Sequence, residues 1–319
     1  MARKQRIAGF ILTMLLVVPL GAVRAQEFPI KPVTLIIPFG AGGASDLTAR
    51  ALVGAAPDAI GQPVIVQLKP GGGGAIASDI VAKAQPDGYT LLMGGPGPNT
   101  TLPAVEGRSK GPDDLIAVCR INYSANNLVA RPDAPFKTLP EMIAWAKANP
   151  GQLKFGHSGL WGAADMPWKE LMKKTGFTSK VIPYDGGGPC MVALLGGHID
   201  VTANFAAQAL PQVKAGKMRM IAVLDDKRNP EYPDVPTAKE QGVDLVYLMW
   251  RGILAPKGTP RPIIDKLAVA FKKMAEDKAV VAMMKSFGDV PNFLGPDEFG
   301  QLWREQYELH KELGKLYKK

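Results

Sequence analysis

The chain has 319 residues, 46% hydrophobic and 21% charged, which is typical of one or two globular domains and excludes a disordered chain. Its 35 glycines and 28 prolines follow no G-X-Y repeat, so a collagen-like protein is excluded and a loop-rich fold is favoured. Part of the formal net charge of +9 at pH 7 comes from four basic residues within the first 24.

Residues 1–25 have the three parts of a secretory signal sequence. A basic start precedes an uncharged, mostly apolar stretch at 7–23, and Ala25 is a small residue suited to cleavage. No later segment reaches the roughly 20 apolar residues of a membrane span, so we predict that 26–319 is exported to the periplasm as a soluble chain. Cleavage lowers the formal charge from +9 to +5, and the mildly basic remainder has no block of like charges of the kind that binds nucleic acid.

Short apolar runs alternate with helix-compatible segments along the rest of the chain. Continuous apolar runs predict strands buried on both faces of a sheet, and capping residues, Pro and Gly mark the ends of helices. The predicted strands are 33–38, 63–68, 89–93, 154–156, 181–183, 200–204 and 219–223. The predicted helical segments are 45–56, 75–84, 138–149, 164–175, 188–196, 207–215, 260–286 and 296–318. This alternation predicts an α/β protein with parallel sheets.

Two extended runs, 120–131 and 247–256, lie between separate α/β blocks. We interpret them as hinge strands that join two lobes. One lobe would then comprise 26–123 plus 254–319, and the other would comprise 124–253. Such a chain is expected to close on a ligand by bending at the two hinge strands.

The chain contains two cysteines, Cys119 and Cys190. An exported protein meets an oxidising compartment, so a disulfide is possible, although two buried thiols are the favoured interpretation. The three histidines, His157, His198 and His310, show no spacing typical of metal ligands. We therefore predict neither a metal site nor a cofactor.

Three glycine-rich loops each follow a predicted strand and precede a predicted helix, the position where open α/β sheets bind ligands. They are 39–46 (FGAGGASD), 156–163 (GHSGLWGA) and 183–189 (PYDGGGP). Glycines let the backbone approach a ligand closely, and the start of the following helix offers free N–H groups with partial positive charge. This combination suits a carboxylate or a phosphate and indicates a cleft for a small anionic solute.

An enzyme is the weaker alternative. The sequence has no G-x-x-x-x-G-K-[ST] motif, so a nucleotide-binding P-loop is excluded. Residues 156–160 begin like a nucleophile elbow, but Leu160 replaces its final glycine, which disfavours a secreted hydrolase with Ser158 as nucleophile. Asp46 is better explained as a helix-capping or loop-orienting residue than as a general acid or base, and His198 as a turn residue.

Six ordered segments carry a resemblance to a known family. They are FPIKPVTLIIPFGAGGASD (28–46), IGQPVIVQLKPGGGGAIASDIVAKAQPDGYTLLMG (60–94), VIPYDGGGPCMVALLGGHID (181–200), KAGKMRMIAV (214–223), YPDVPTAKEQG (232–242) and GILAPKGTP (252–260). From about Phe28 to the C-terminus, the chain resembles the solute receptors of tripartite tricarboxylate transporters, also called the Bug family.

The resemblance implies a fold and a function. Members of this family are type II periplasmic binding proteins, in which two α/β lobes close like a Venus flytrap on a small, usually carboxylated organic solute. They hand the solute to membrane transporter subunits and perform no covalent chemistry. We therefore expect a monomeric receptor for an organic acid, and an exported solute sensor for signalling is the alternative that the resemblance leaves open.

The resemblance also implies where the solute binds. The backbone of 43–46 would hold a carboxylate, and 158–163 and 184–189 would contribute from the other lobe. The chain departs from the family at 40–41, where prolines are frequent, and around Trp161, where a short Gly-Ser or Gly-Thr pair is usual. Trp161 would either pack at the surface or between the lobes, or form an apolar wall that favours a flat, aromatic acid. The expected ligand-binding residues are Phe39, Gly42, Gly43, Ala44, Ser45, Asp46, Ser158, Gly159, Trp161, Gly162, Ala163, Tyr184, Gly187 and Asn204.

Overall fold

The computed structural model describes residues 28–317 apart from 42–43, 158–159, 185–186 and 287, so the predicted signal sequence lies outside the described residues. The strands are β1 Val33–Ile37, β2 Val64–Leu68, β3 Thr90–Gly94, β4 Leu115–Ala130, β5 Lys154–His157, β6 Lys180–Pro183, β7 Val201–Phe205, β8 Arg219–Val223, β9 Leu248–Pro256 and β10 Val290–Leu294. The α-helices are α1 Ala44–Gly54, α2 Ala56–Ile60, α3 Ala75–Ala82, α4 Leu139–Ala148, α5 Asp165–Thr175, α6 Gly187–Leu195, α7 Ala206–Lys214, α8 Arg261–Ala275, α9 Lys278–Ser286 and α10 Pro296–Tyr317. A 3-10 turn at Gly72–Gly74 and a π-helix at Gly97–Glu106 complete the described elements.

Local sequence signals account for most of these elements. Each of the seven strands named above is present, with ends within one residue of the prediction. The extended run predicted at 120–131 belongs to β4, which begins five residues earlier. The run predicted at 260–286 is two helices, because the Asp277 carboxylate accepts hydrogen bonds from the N–H groups of Ala279 and Val280 and starts α9. The sequence patterns predict neither β10 nor the π-helix, since both contain proline, which favours loops.

Two groups of parallel strands are joined by two antiparallel strands. β1 is parallel to β2 and β3, and β5 is parallel to β6 and β7. β9 runs antiparallel to both β3 and β4, and the 16-residue β4 continues beyond β9 to pair with β7. The strand order is therefore β2-β1-β3-β9-β4-β7-β5-β6, with β8 and β10 also paired to β4. The predicted parallel sheets are confirmed, while the lobe boundaries and the hinge role of β4 and β9 stay predictions.

Each group of parallel strands is packed into its own apolar core. Leu35 of β1 and Phe271 of α8 are buried in the core around β1 to β3. In the other group, Phe155 of β5 and Trp168 of α5 stack with their ring centroids 3.9 Å apart. Separate cores allow each group to hold its own loops rigidly at the carboxyl ends of its strands.

Both cysteines are free and buried, as the favoured interpretation predicted. Cys119 lies in the core around β1 to β3, and Cys190 lies in a cluster between α6 and β8. Burial raises the pKa of both thiols, so both stay protonated and poorly nucleophilic at neutral pH.

Two features of the described residues bear on the class of protein. No helix in this part of the chain combines the length and apolar character needed to cross a membrane. The same residues contain no cluster of three or more His, Cys, Asp or Glu side chains placed to hold a metal ion.

Candidate solute-binding cleft

A cavity of about 400 Å³ lies where the two groups of parallel strands end. One side is formed by residues that follow β1, β2 and β3, including Phe39, Gly73 and Gly95. The other side is formed by 160–163, which follow β5, and by Phe205 at the end of β7. Carboxyl ends of strands are the usual ligand sites of open α/β sheets, and here two such sites face one cavity.

The structure brings several of the expected ligand-binding residues together at this cavity. Those that line it are Phe39, Ser45, Trp161, Gly162 and Ala163. Ala163 and Phe205 also line an adjoining cavity of about 110 Å³, which contains Asn204. The two cavities therefore adjoin and share part of their lining.

The remaining expected residues have other positions. Asp46 and Tyr184 line neither cavity, and Ala44 and Gly187 are the first residues of α1 and α6. Tyr184 packs against the cluster that contains Cys190. Four expected residues lie outside the described part of the chain: Gly42, Gly43, Ser158 and Gly159.

The N-terminus of α1 supplies positive potential to one end of the cleft. Ser45, in the first turn of this 11-residue helix, lines the main cavity. The partial positive charge of unpaired N–H groups at a helix start favours an anion. Asp46, in the same turn, is buried, and its Oδ1 lies 2.9 Å from Nε of Arg50 one turn later. The negative charge of Asp46 is thus balanced by Arg50 of the same helix.

Trp161 forms part of the apolar wall in an unusual backbone conformation. Its φ of 60° lies in the left-handed region, although its side chain is bulky. Its backbone N–H donates a hydrogen bond of 2.7 Å to Oδ2 of Asp165, at the start of α5. The same carboxylate accepts a hydrogen bond from Lys169, whose Nζ lies 4.6 Å from the centroid of the Trp161 ring. The indole is therefore held against the cleft by a fixed turn and a cation–π contact.

The adjoining small cavity is polar. The Asn126 amide donates to the carbonyl of Ala163, while its Oδ1 is buried without a hydrogen-bond partner among the described residues. Asn204 accepts a hydrogen bond of 2.8 Å from the backbone N–H of Phe205, and Thr202 donates to the carbonyl of Gly156 at 2.9 Å. These groups can bind a hydroxyl or a water at the side of the main cavity.

β9 supplies lining residues that the sequence reasoning missed, namely Met249, Trp250 and Arg251. Arg251 is the single charged side chain among the described residues that line the main cavity, and it is only 6% exposed. Its presence in the otherwise apolar run YLMWRGILAP was the available signal, because arginine is rarely buried without a partner.

A buried polar network holds Arg251. Its Nη1 lies 2.9 Å from Oδ2 of Asp289 and donates to Oγ of Ser124 at 3.1 Å and to Oδ1 of Asn122 at 3.4 Å. Asp289 also accepts hydrogen bonds from Asn122 at 2.9 Å and from Ser124. Burial raises the pKa of Asp289 above the ordinary range, and the positive charge of Arg251 opposes this shift.

The lining groups are suited to binding. No histidine or carboxylate stands among the described residues that line the main cavity, so the Ser45 hydroxyl has no general base there. A mostly apolar cleft with one cation, between two α/β groups joined by antiparallel strands, is the arrangement of a two-lobed solute-binding protein.

Comparison with known proteins gives the family. The chain belongs to the family of tripartite tricarboxylate transporter family receptors, whose family model matches residues 48–315. It is 34% identical over 284 residues to protein BugT of Bordetella pertussis, and 86% of each chain is covered. The expected type II periplasmic binding fold and the family resemblance are thereby confirmed.

Two solved structures of similar proteins contain a carboxylate. MatC from Rhodopseudomonas palustris with bound malate superposes with a TM-score of 0.75 at 28% identity, covering 90% of this chain and 100% of that chain. A second protein of the same species, with adipate, gives a TM-score of 0.78 at 27% identity and covers 91% and 98%.

Proposed function

We propose that this protein is a periplasmic receptor that binds a small organic carboxylate in the cleft and delivers it to the membrane subunits of a tripartite tricarboxylate-type transporter. The observation that carries the proposal is the position of the cavity, between the carboxyl ends of two α/β groups and next to the start of α1. Family membership supports the transport role, and malate and adipate in similar proteins support the class of solute.

The lining of the cleft favours an acid with an apolar body. Leu160, Trp161 and Met249 present apolar surface to a space of about 400 Å³, and Leu102 and Phe205 add to it. Aromatic rings give a large contact area, whereas each further carboxylate buried against these walls would lose hydration without a partner. We therefore expect an aromatic or long-chain acid to bind more tightly than compact, highly charged citrate.

Closure of two lobes would complete the site. In this proposal, lobe one is 26–123 plus 254–319 and lobe two is 124–253, with bending in β4 and β9. Both strands run through the junction of the two parallel groups, which supports their role as hinges. We further propose that the chain is exported by its residues 1–25, acts as a monomer and performs no covalent chemistry.

A binding screen tests the proposed function. Protein freed of co-purified molecules by unfolding and refolding is titrated calorimetrically with benzoate, phenylacetate, adipate, malate and citrate. We expect at least one acid to bind and the corresponding amide to bind far more weakly. Mass spectrometry of the small molecule released during unfolding gives an independent identification. Binding of no carboxylate, together with release of a neutral or cationic molecule, would contradict the proposal, and so would turnover of a bound acid.

A further inference from the structure

Building on the proposed function, we propose that Arg251 of β9 is the cation that receives the carboxylate of the solute. The anion-binding end of the cleft would then be formed by the Arg251 side chain on β9 together with the start of α1. Arg251 would thereby set the requirement for a negative charge.

Only one nitrogen of the Arg251 guanidinium, Nη1, forms hydrogen bonds with the described residues. Arginine has five N–H donors in a planar fork, which matches the two oxygens of a carboxylate. Nη1 binds Asp289, Ser124 and Asn122, whereas Nε and Nη2 have no hydrogen-bond partner among the described residues. Three donors thus remain on a residue that lines the cavity. An arginine that served only to neutralise Asp289 would be expected to use both arms of the fork.

The network behind Arg251 holds the guanidinium in place before a solute arrives. Both carboxylate oxygens of Asp289 accept hydrogen bonds, from Asn122, Ser124 and Arg251. In the sheet, Asn122 of β4 stands opposite Arg251 of β9, and it also stands opposite Pro291 of β10. The arginine is therefore held by two side chains of β4 and by Asp289, one residue before β10, so little side-chain freedom remains to be lost on binding.

Charge and polarity around the cavity agree with a single anion-binding end. Ser45, at the start of α1, borders the same cavity as Arg251, and the negative charge of Asp46 beside it is paired with Arg50. Leu160 and Trp161 line the cavity from the other group of strands and carry no charge. A solute with one carboxylate would place it between Arg251 and the start of α1 and lay its apolar body against Trp161.

Calorimetric titration of Arg251→Gln with phenylacetate and adipate, each beside its amide (phenylacetamide and adipamide), tests this role. We expect the affinity for the acids to fall at least tenfold, which is about 1.4 kcal/mol, while the weak binding of the amides changes little. Arg120→Gln is the matched control. Arg120 is buried like Arg251 and lies on β4, the strand that pairs with β9, but it binds Asn292 and does not line the cavity.

A second variant keeps the test valid if Arg251→Gln does not fold. Arg251→Gln combined with Asp289→Asn replaces the ion pair by two amides, so that no buried charge is left unpaired. Retention of wild-type affinity for the acids in either folded variant would overturn the role of Arg251 and leave the proposed function intact. Loss of acid affinity in Arg120→Gln to the same extent would also overturn it. If wild type binds none of the five acids of the screen, the inference falls together with the carboxylate class of the proposed function. If it binds one of the other three acids instead, that acid and its amide replace phenylacetate and adipate in the titration.

Discussion

The carboxylate of Asp165 accepts a 2.7 Å hydrogen bond from the backbone N–H of Trp161, a residue whose φ of 60° lies in the left-handed region. A non-glycine residue in this region typically costs about 1–3 kcal/mol and persists where its surroundings hold it. Here Asp165 fixes the backbone and Lys169 covers the ring. The strained turn places the indole of Trp161 in the wall of the cleft. The local conformation of the loop after β5 thus affects which solute the cleft prefers.

Trp161→Ala should weaken an aromatic acid more than an aliphatic one. The ring supplies apolar contact, and aromatic pairs add roughly 0.5–1.5 kcal/mol beyond burial, so we expect a loss of about 2–10-fold for phenylacetate relative to adipate. Calorimetric titration of both acids with both proteins gives the ratio directly, and Trp161→Phe should keep most of the preference. An equal effect on the two acids, or a preference of wild type for citrate, would show that Trp161 does not shape selectivity.

Asp165→Ala should destabilise the fold through the Trp161 turn. It removes the acceptor for the buried Trp161 N–H and for the half-buried Lys169, and we expect a loss of about 1–3 kcal/mol in the free energy of unfolding. Urea unfolding at neutral pH measures this loss. Asp244→Ala, at an exposed carboxylate, serves as the control and should change stability by less than about 0.5 kcal/mol. Equal stability of the two variants would refute the anchoring role of Asp165.

His310 should make the fold sensitive to mild acid. The ring is buried, its Nδ1 lies 2.9 Å from Oγ1 of Thr101, and it stacks on Tyr247. Burial lowers the pKa of His310 from 6.5 to about 4. Between these values the unfolded chain binds a proton that the folded chain does not, so stability is fully present above pH 6.5 and falls as the pH is lowered towards 4.

The expected loss from this histidine between pH 7 and pH 5 is about 2 kcal/mol, obtained from the two pKa values by linkage. Denaturant unfolding at both pH values should show a smaller acid sensitivity in His310→Gln, whose amide can still bind Thr101. His198→Gln, at an exposed histidine, should behave like wild type. An unchanged pH dependence in His310→Gln would assign the acid sensitivity to other groups.

Solute binding should make the protein more compact. Because β4 and β9 connect the two parallel groups, closure requires small changes along these two strands, and the cavity between the groups shrinks. Small-angle scattering with saturating phenylacetate or adipate should give a smaller radius of gyration than the free protein. Addition of the corresponding amide is the control. An identical radius at saturation would argue against hinge closure.

Export should remove the first 25 residues. The basic start and the apolar stretch that precede Ala25 are the features that a signal peptidase substrate requires. Intact-mass measurement of protein from the periplasmic fraction should give a chain that begins at Gln26. A mature protein that retains its N-terminus would contradict the prediction.

Features that depend on neighbours along the chain could be predicted from the sequence. The capping box at the start of α4 is an example, because the Thr138 hydroxyl accepts a hydrogen bond from the backbone N–H of Glu141 at 3.3 Å, as that motif requires. The apolar runs of β1 to β3 and the glycine loops after them are equally local. They were enough to predict an α/β protein and to direct attention to Phe39, Ser45 and Trp161, which line the cavity.

The charged end of the cleft was decided by the tertiary structure alone. Arg251 and Asp289 are 38 positions apart, and they meet because β9 and β10 both pair with β4 at Asn122. Strand partners and registers over such distances depend on the packing of the whole sheet, and no local pattern encodes them. The sequence by itself therefore determined the elements and the loops that end at the cleft, whereas the pairing of β4 with β9 and β10 decided which buried charge lies beside them.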